Sequence, residues 1–531
     1  MPAPTAKTVT PFHPFTGRDV PWLVDAQAQA RPDDVFLVWE PFEGEGASWT
    51  FAEFARETLA FAAGLAARGI GKGDFVNIHM DNCPEFIFAW FACSRVGAVA
   101  VTTNTRSNRR DLEYYLSHSR CRAAITQPKF AELVRESGPD LHWIACIESD
   151  GDRRGSALRP DDLVPFESLR RDPEAAPGRK AEPLSPNSVQ YTSGTTSRPK
   201  GVVWTHANAL WSARTNAAHA GLTEKDVHLF YFPLFHTNAL AYSTLATLWS
   251  GGKAVMMPRF SASRFWDVAR RHGVTWASMV MFTLRAIEEQ PDPADHRFRF
   301  WALVGDVKSI RERWGIKTIG WFGMTETVSH CIFGEQDRAG PEGAMGRPAS
   351  EYEISIRRDD GSEVDFNETG RLFIRGIPGL TLFYEYLNDP EATAQSFDED
   401  GWFDTGDEVM PLEDGHIYFV GRAKDMMRVG AENVAAIEIE MVIGSVDGVV
   451  ENAVVAKADP MLDEVPVAFV VATQPGPELE ARIRSACASS LADFKRPREI
   501  YFIDELPKGL LDKVLKKELR ARLEVPASQA G

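Results

Sequence analysis

The sequence predicts an α/β protein in which a large N-terminal domain of layered sheets with flanking helices precedes a small α+β domain. Between residues 50 and 232, short apolar strand patterns alternate with helical patterns, and such alternation is typical of α/β layers. Beyond about residue 424 the pattern changes, which indicates a second domain. The length of 531 residues also favours more than one core.

The first predicted elements follow one another closely. Thr50 and Glu53 stand at capping-box spacing before a run of apolar residues at helical intervals. A strand is predicted over 75–78, Pro84 is placed to begin a second helix, and another strand covers 98–102. This order indicates the start of an α/β sheet.

The same rhythm returns after residue 185. Gln190 and Tyr191 end a predicted strand, a glycine-rich loop follows, and a helix begins at about Ala207 before a strand over 227–232. We therefore expect a parallel sheet to carry this loop. The stretch 150–184 is rich in Arg, Asp, Pro and Glu, which predicts a surface connection.

The last part of the chain forms the predicted small domain. Short strands are expected near 453–457 and 465–472, a helix near 479–489, and a basic helix at the end. This mixture predicts an α+β unit.

Composition excludes several classes of protein. Lysine and arginine number 58 against 75 aspartate and glutamate residues, a net charge of −17, which argues against general affinity for nucleic acid or anionic membranes. The 6 cysteines lack zinc-site spacing and are predicted to be reduced core thiols. Neither a signal peptide nor a membrane span is indicated, so a cytoplasmic location is expected.

A loop suited to phosphate lies at residues 191–201. Serine and threonine hydroxyls, Gly194, Gly201 and Lys200 fall together there, and backbone N–H groups with a lysine can surround a polyphosphate. The spacing is not that of a Walker loop. By composition alone, an ordinary surface turn is the favoured explanation, because such turns are common.

Other segments remove that ambiguity because they occur in a particular order. They are Phe322-Gly323-Met324-Thr325-Glu326, Phe403-Asp404-Thr405-Gly406-Asp407, Gly421-Arg422-Ala423-Lys424-Asp425, Glu438-Ile439-Glu440, and Leu506-Pro507-Lys508 with Lys513. Together they resemble the motif series of the acyl-adenylate-forming (AMP-binding) superfamily, which includes acyl-CoA synthetases, peptide-synthetase adenylation domains and beetle luciferases. The resemblance extends from about Trp49 to Leu519.

The resemblance implies the residues of the ATP site. They are Thr192, Ser193, Gly194, Thr195, Thr196, Lys200, Gly305, Asp306, Val307, Trp321, Phe322, Gly323, Met324, Thr325, Asp407, Phe419, Arg422 and Lys513. The catalytic residues would be Thr192, Glu326 and Lys513. Glu326 would also be the magnesium ligand, since Mg²⁺ is often bound by few carboxylates together with phosphates. Lys513 would stabilise the charge between the acid and the α-phosphate.

The resemblance also implies a mobile C-terminal domain. The predicted domains are 1–423, which binds the nucleotide, and 424–531, which carries the adenylation lysine. Lys424 would be the hinge. After rotation, the segment with Gly430, Ala431 and Glu432 would face the coenzyme A site.

The acyl pocket implied by the family is mainly apolar. Its predicted residues are His236, Thr237, Asn238, Leu240, Met281, Phe282, Trp321 and Gly323. Two stretches, 261–266 and 376–379, look like those of carnitine/crotonobetaine-CoA ligases and bile-acid-CoA ligases. A betaine would use an aromatic cage, for which Trp321, Phe235 and Tyr242 are candidates. An aryl, alicyclic or steroidal acid would use the same surface by burial and is favoured.

The predicted function is that of an AMP-forming acid-CoA ligase. It would use ATP, Mg²⁺ and coenzyme A, form an acyl-AMP with release of pyrophosphate, and then form the CoA thioester. The expected partners are small molecules, with no nucleic acid, and a homodimer is left open. The alternative is a non-catalytic nucleotide-binding homologue, which would have no use for Lys513, Glu326 and Asp407.

Overall fold

The computed structural model describes residues 12–151, 160–192, 199–303, 305, 307–336, 338, 340–422, 426–507 and 514–524. The strands are β1 Val35–Trp39, β2 Ala47–Thr50, β3 Phe75–His79, β4 Val99–Thr102, β5 Ala123–Thr126, β6 Trp143–Cys146, β7 Val164–Pro165, β8 Pro186–Thr192, β9 Lys200–Thr205, β10 Val227–Phe230, β11 Lys253–Met256, β12 Trp276–Ser278, β13 Phe300–Leu303, β14 Lys317–Phe322, β15 Ile332–Phe333, β16 Arg347–Pro348, β17 Glu353–Arg357, β18 Gly370–Arg375, β19 Glu385–Tyr386, β20 Trp402–Pro411, β21 Ile417–Arg422, β22 Met426–Val429, β23 Glu432–Ala435, β24 Val449–Asp459, β25 Asp463–Ala472 and β26 Glu499–Phe502.

The α-helices are α1 Val20–Ala30, α2 Phe51–Ala67, α3 Pro84–Val96, α4 Arg109–Ser119, α5 Ala131–Ser137, α6 His206–His219, α7 Ala246–Ser250, α8 Ala262–His272, α9 Met281–Glu288, α10 Lys308–Trp314, α11 Pro390–Gln395, α12 Ala436–Gly444, α13 Pro477–Ser490 and α14 Lys516–Glu524. Short 3₁₀ turns and one π-helix, Asn238–Leu245, complete the helical structure. Among the residues described, no helix combines the length and apolar character that a bilayer-spanning segment requires.

Two large sheets form the layers of the N-terminal domain. Their strand orders are β16-β15-β14-β13-β12-β10-β11-β1-β2 and β19-β9-β8-β4-β3-β5-β6-β7. The strands from β14 to β1 in the first sheet and from β8 to β7 in the second are parallel to their neighbours. Most of them are buried, as expected for sheets covered on both faces. One hydrophobic cluster joins both sheets to α2 and α3, which confirms the α/β prediction. A third, antiparallel sheet, β17-β18-β20-β21, precedes the C-terminal domain.

The C-terminal domain is α+β, as predicted. Its sheet has the order β23-β22-β25-β24, with β26 beside β25, and α12, α13 and α14 accompany it. Two hydrophobic clusters fill this domain, and both contain only residues beyond 425. The small domain therefore has its own core. The predicted boundary between residues 423 and 424 lies outside the described residues.

Several local predictions are confirmed. Thr50 accepts a hydrogen bond from the Glu53 N–H, the Glu53 carboxylate accepts one from Thr50, and α2 follows. Pro84 begins α3. All cysteines are buried and none forms a disulfide, so they are core thiols.

Two predictions about connections are incomplete. The helix predicted from about Ala207 is present as α6, but β9 lies between the glycine-rich loop and this helix and pairs antiparallel with β8, because the apolar run 202–204 is long enough for a buried strand. The stretch 150–184 is also more than a surface connection. Phe166 and Leu169 are buried because a 3₁₀ turn lays them against α2.

Candidate active site

The candidate site is a cleft of about 620 Å³ between the two domains. Ends of β8, β9, β14, β20 and β21 line it from the N-terminal domain, and parts of β22, β23 and β25 line it from the C-terminal domain. Sites at the ends of strands are usual in α/β proteins, because the loops there bring together residues from distant parts of the chain. The ends of the phosphate loop and the segments 322–326 and 403–406 meet here.

The phosphate loop begins and ends at paired residues. Thr192 and Lys200 are opposite each other in the antiparallel β8–β9 pair, and both line the cleft. The ends of the loop are therefore fixed by strand hydrogen bonds. The predicted residues Ser193, Gly194, Thr195 and Thr196 lie outside the described residues.

Thr325 is held in place in the cleft by contacts with Trp204 and Thr237. The Trp204 indole donates to the Thr325 carbonyl at 2.8 Å, and the Thr237 and Thr325 hydroxyl oxygens are 3.0 Å apart. Thr237 also donates to the Gln190 amide oxygen at 2.7 Å. Thr237, expected in the acyl pocket, therefore stands at the junction between that pocket and the phosphate region.

Glu326 is a buried carboxylate at the edge of the cleft. The Tyr386 hydroxyl donates a hydrogen bond to its Oε1 at 3.0 Å. Burial raises the pKa of the Tyr386 phenol well above its usual value, and the nearby Glu326 carboxylate adds to the shift, so the phenol stays protonated as a donor. The Lys200 ammonium lies 4.4 Å from the centre of the same ring.

These residues fit magnesium bound together with a polyphosphate. In the described part of the chain, His, Cys, Asp and Glu side chains form no group of three or more that could enclose a metal ion. Mg²⁺ needs no such enclosure, since one or two carboxylates, phosphate oxygens and water complete its shell. The Glu326 carboxylate, which lines the same cleft as Lys200 and Thr192, meets that requirement.

The nucleoside part of the predicted site lies on the antiparallel sheet and β14. Asp407 is fully buried on β20, and its backbone is opposite that of Arg422 in the antiparallel pairing with β21. The Arg422 side chain lies outside the described part of the structure. Phe322 and Phe419 stack with ring centres 6.3 Å apart and both line the cleft. Their faces suit a planar base.

The predicted adenine residues after β13 are less directly placed. Gly305 approaches the backbone of Gly343 so closely that a Cβ would lie 2.6 Å from its carbonyl carbon. The Val307 N–H donates to the Thr318 hydroxyl at 2.7 Å. Neither residue is among the described residues that line the cleft, and Asp306 lies outside the description.

The acyl side of the cleft is built mainly from aromatic and sulfur-containing side chains. Its lining residues include Phe235, His236, Asn238, Tyr242, Met279 and Trp321. The π-helix Asn238–Leu245 forms part of this wall, and such helices are frequent at functional sites. Leu240 is buried in the core, and Phe282 packs 5.9 Å from Phe260, so neither lines the described cleft. The Met281 side chain lies outside the description.

A buried histidine supports this wall from behind. The His330 ring is 4.1 Å from the Trp321 ring and 4.2 Å from the Tyr242 ring, centre to centre. Burial lowers the pKa of His330 well below its usual value. The imidazole is therefore neutral at physiological pH, and the acyl wall gains no positive charge from it.

Glu432 closes the cleft from the C-terminal domain. It accepts a hydrogen bond from the Asn104 amide at 2.9 Å and lies 3.4 Å from His236 Nε2. Burial by itself would raise the pKa of Glu432, but His236, Arg106 and the Asn104 hydrogen bond together lower it. Glu432 is therefore ionised at neutral pH. Ala431 also lines the cleft, whereas Gly430 turns the chain with φ +63°.

Further polar contacts join the domains around this point. Arg106 pairs with Asp493 at 2.7 Å, and Arg285 pairs with Asp463 at 3.1 Å. The buried Lys495 ammonium lies 3.9 Å from Asp111. Lys424 and Lys513 lie outside the described residues.

Two residues at the site were missed in the sequence. Asn104 and Tyr386 contact Glu432 and Glu326 through side chains, yet neither belongs to a run with the chemistry of phosphate or acid binding. Tyr386 precedes the Asp389 N-cap of α11, and only the pairing of β19 with β9 brings it to the site.

Comparisons with known proteins agree with this geometry. The family model for AMP-binding enzymes matches residues 24–386, and the model for the AMP-binding enzyme C-terminal domain matches 438–513. A crotonobetaine/carnitine–CoA ligase of Citrobacter koseri is 31% identical over 522 residues, covering 95% of this chain and 99% of that protein.

Two solved structures of o-succinylbenzoate CoA synthetase from Bacillus subtilis are also similar. A double mutant bound to the product analogue OSB-NCoA has a TM-score of 0.80 at 28% identity, covering 94% of this chain and 98% of that one. The complex with ATP and a magnesium ion has a TM-score of 0.66 at 27% identity, covering 95% and 99%.

The fold and the cleft define an enzyme that activates carboxylic acids with ATP. The chain belongs to the AMP-binding enzyme family. It is an AMP-forming acid-CoA ligase, and its co-substrates are ATP with magnesium and coenzyme A.

Proposed function

We propose that the acid carries no charge besides its carboxylate and has a bulky apolar body, with aryl, alicyclic and steroidal acids as the preferred classes. The observation that carries this proposal is the acyl wall. Residues 235–242, 279–280 and 321–324 contain no lysine, arginine, aspartate or glutamate, and several line the cleft with aromatic or thioether groups. A charged tail buried there would lose its hydration without gaining a partner.

A betaine is the second candidate, because the relatives include crotonobetaine/carnitine–CoA ligases. Such a substrate needs several aromatic faces around one cation. Phe235, Tyr242 and Trp321 line the cleft, but one side of both Tyr242 and Trp321 packs against His330. Fewer faces are therefore left for a quaternary ammonium group, and the uncharged acid is preferred.

We further propose roles for the residues on the phosphate side. Thr192, the loop after it and Lys200 bind the β- and γ-phosphates, and Thr325 contacts the α-phosphate. Glu326 holds Mg²⁺, which offsets phosphate charge when it is bound. The pairing of Thr192 with Lys200 and the contacts of Thr325 with Trp204 and Thr237 support this assignment.

The chemistry then has two steps. A carboxylate oxygen of the acid attacks the α-phosphorus, and the bond to pyrophosphate breaks. The sulfur of coenzyme A next attacks the acyl carbon, and the bond to AMP breaks. We assign Lys513 to charge stabilisation in the first step, and Asp407 and Arg422 to binding of the ribose and phosphate.

The domain arrangement supports a state that serves the second step. Ala431 and Glu432 face the cleft, as proposed for the coenzyme A side. The TM-score is 0.80 against the product-analogue complex and 0.66 against the ATP complex of the same relative, at nearly equal coverage. Four further points stay predictions: rotation about Lys424, the domain bounds 1–423 and 424–531, a homodimer, and a cytoplasmic location.

Pyrophosphate release tests the proposal. The purified protein would be given ATP, Mg²⁺ and one acid at a time from aryl, alicyclic, steroidal, fatty and betaine sets, with and without coenzyme A. We expect release and thioester formation with a bulky uncharged acid and loss of release in Lys513→Ala. Release with betaines alone would contradict the preferred class, and absence of release with every acid would contradict the assigned roles.

A further inference from the structure

We propose that Tyr386 is a positioning residue for ATP: its hydroxyl group orients the Glu326 carboxylate, and its ring holds the Lys200 ammonium on the same side of the cleft. This inference goes beyond the proposed function and rests on its assignment of Glu326 to magnesium. The contacts that carry it come from the backbone and from the side chain.

The backbone fixes the segment around Tyr386 to both partners. In the pairing of β19 with β9, Tyr386 is opposite Val202, two residues after Lys200. The Leu387 N–H donates to the Gly201 carbonyl at 2.7 Å. At the other end of the segment, the Phe383 N–H donates to the Glu326 carbonyl at 2.8 Å. One short segment therefore connects the strand of the lysine to the loop of the carboxylate.

The side chain of Tyr386 then touches both charged groups. Its hydroxyl donates to Glu326 Oε1 at 3.0 Å, and its ring centre is 4.4 Å from Lys200 Nζ. Tyr386 is 5% exposed and packs on Phe383 with ring centres 4.7 Å apart. Its N–H donates to the Thr393 hydroxyl at 2.9 Å. Packing and hydrogen bonds thus leave the ring little freedom.

This arrangement prepares the site for a charged ligand. A carboxylate and an ammonium group that are already oriented lose less freedom when the nucleotide binds. The two contacts have separate consequences. The hydroxyl affects the metal ligand, and the ring affects the lysine that faces the phosphates.

Binding of nucleotide without the acid separates these effects. The affinity for ATP would be measured by calorimetry over a series of Mg²⁺ concentrations, with AMP as a second ligand. Mg²⁺ should increase the affinity for ATP, and the Mg²⁺ concentration that gives half of this increase is the quantity to compare. In Tyr386→Phe we expect this concentration to rise about fivefold, because one hydrogen bond to the metal ligand is lost. Metal-free ATP should bind as before. Tyr386→Leu should also weaken metal-free ATP, because the ring is lost.

Tyr352→Phe is the matched control. The Tyr352 hydroxyl is buried and donates to the Thr327 carbonyl at 2.7 Å, so its removal has a similar structural cost. It should leave the Mg²⁺ dependence unchanged. Binding of AMP, which lacks the outer phosphates, should be the same in all variants.

Glu326→Gln distinguishes failure of this inference from failure of the metal assignment. If Glu326→Gln leaves the Mg²⁺ dependence unchanged, the assignment of Glu326 as the magnesium ligand is wrong. The proposed role of Tyr386 is then also refuted. If Glu326→Gln shifts that dependence and Tyr386→Phe does not, only the role of Tyr386 is refuted. Equal weakening of AMP and ATP in Tyr386→Phe would indicate general structural damage and would also overturn the proposal. In the double variant, the effect of Tyr386→Phe should largely disappear.

Discussion

Glu432 illustrates how single side chains make this cleft depend on both domains. It belongs to the small domain, yet its hydrogen-bonding partner Asn104 and its neighbour His236 belong to the large one. A buried carboxylate is costly unless such groups compensate its charge. Glu432 is therefore stabilised when the domains are arranged as they are here.

Glu432→Gln tests the role of this contact in catalysis. The amide of glutamine carries no negative charge, so the charge-assisted hydrogen bond from Asn104 is weakened. The loss of one such contact corresponds to a rate change of about tenfold. We expect thioester formation from preformed acyl-AMP to slow by that factor, while ATP/pyrophosphate exchange stays unchanged. The exposed Glu478 at the start of α13 provides the control, Glu478→Gln. Equal slowing of both half-reactions would contradict the assignment.

At the scale of elements, packing decided what local patterns left open. The capping box of α2 and Pro84 were visible in the sequence because caps are local chemistry. The β8–β9 pairing was not, because an apolar run such as 202–204 suits a strand or a buried helix equally well. Burial of Phe166 and Leu169 was hidden by the charged residues around them, since it depends on contact with α2.

The contact between α2 and this connection gives a prediction for Gly64. A Cβ at Gly64 would lie 1.7 Å from the Leu169 carbonyl oxygen, so the backbone would have to move. Alanine gains about 1 kcal/mol of helix propensity, whereas forcing a packed backbone apart costs about 3 kcal/mol or more. We expect Gly64→Ala to lower the free energy of unfolding in urea titrations by about 2 kcal/mol.

Gly71→Ala is the control for that measurement. A Cβ at Gly71 would have no atom within 4 Å, so little change is expected. If Gly64→Ala were as stable as Gly71→Ala, the close approach of α2 to Leu169 would be wrong.

For the whole molecule, buried histidines set the response to acid. Burial lowers the pKa of His79 and of His228 to about 3, against an ordinary value of 6.5. Between these values the unfolded chain binds protons that the folded chain does not. Stability is therefore fully present above about pH 7 and falls as the pH drops, by about 2 kcal/mol for each histidine at pH 5.

His228→Phe should reduce this acid sensitivity. The His228 ring stacks 3.9 Å from Trp276, and a phenyl ring can take the same place without titrating. Urea unfolding at pH 7 and pH 5 should differ by about 2 kcal/mol less in this variant than in the wild type. His142→Gln, at an exposed position, should not change the difference. An unchanged pH dependence in His228→Phe would refute the explanation.

The order of the motifs allowed the fold class and several residues that line the cleft to be predicted. Glu326, Thr325, Thr192 and Lys200 meet in one cleft because each stands at or near the end of a strand. Sequence could not predict Tyr386, because its position comes from the pairing of two distant strands. The identity of the acid substrate could not be predicted either, because apolar lining residues make no directional hydrogen bonds that would specify one acid.

We expect the ion pairs between the domains to make the domain arrangement depend on ionic strength. Arg106–Asp493 and Arg285–Asp463 are partly exposed, and the screening length shrinks from about 10 Å at 0.1 M salt to about 3 Å at 1 M. Added salt should therefore weaken the docked arrangement while leaving both separate cores intact. We expect small-angle scattering to show an expanded particle in high salt, with an unchanged circular dichroism spectrum. In such an enzyme, a rise in salt concentration would change the arrangement of the two domains before it unfolds either of them.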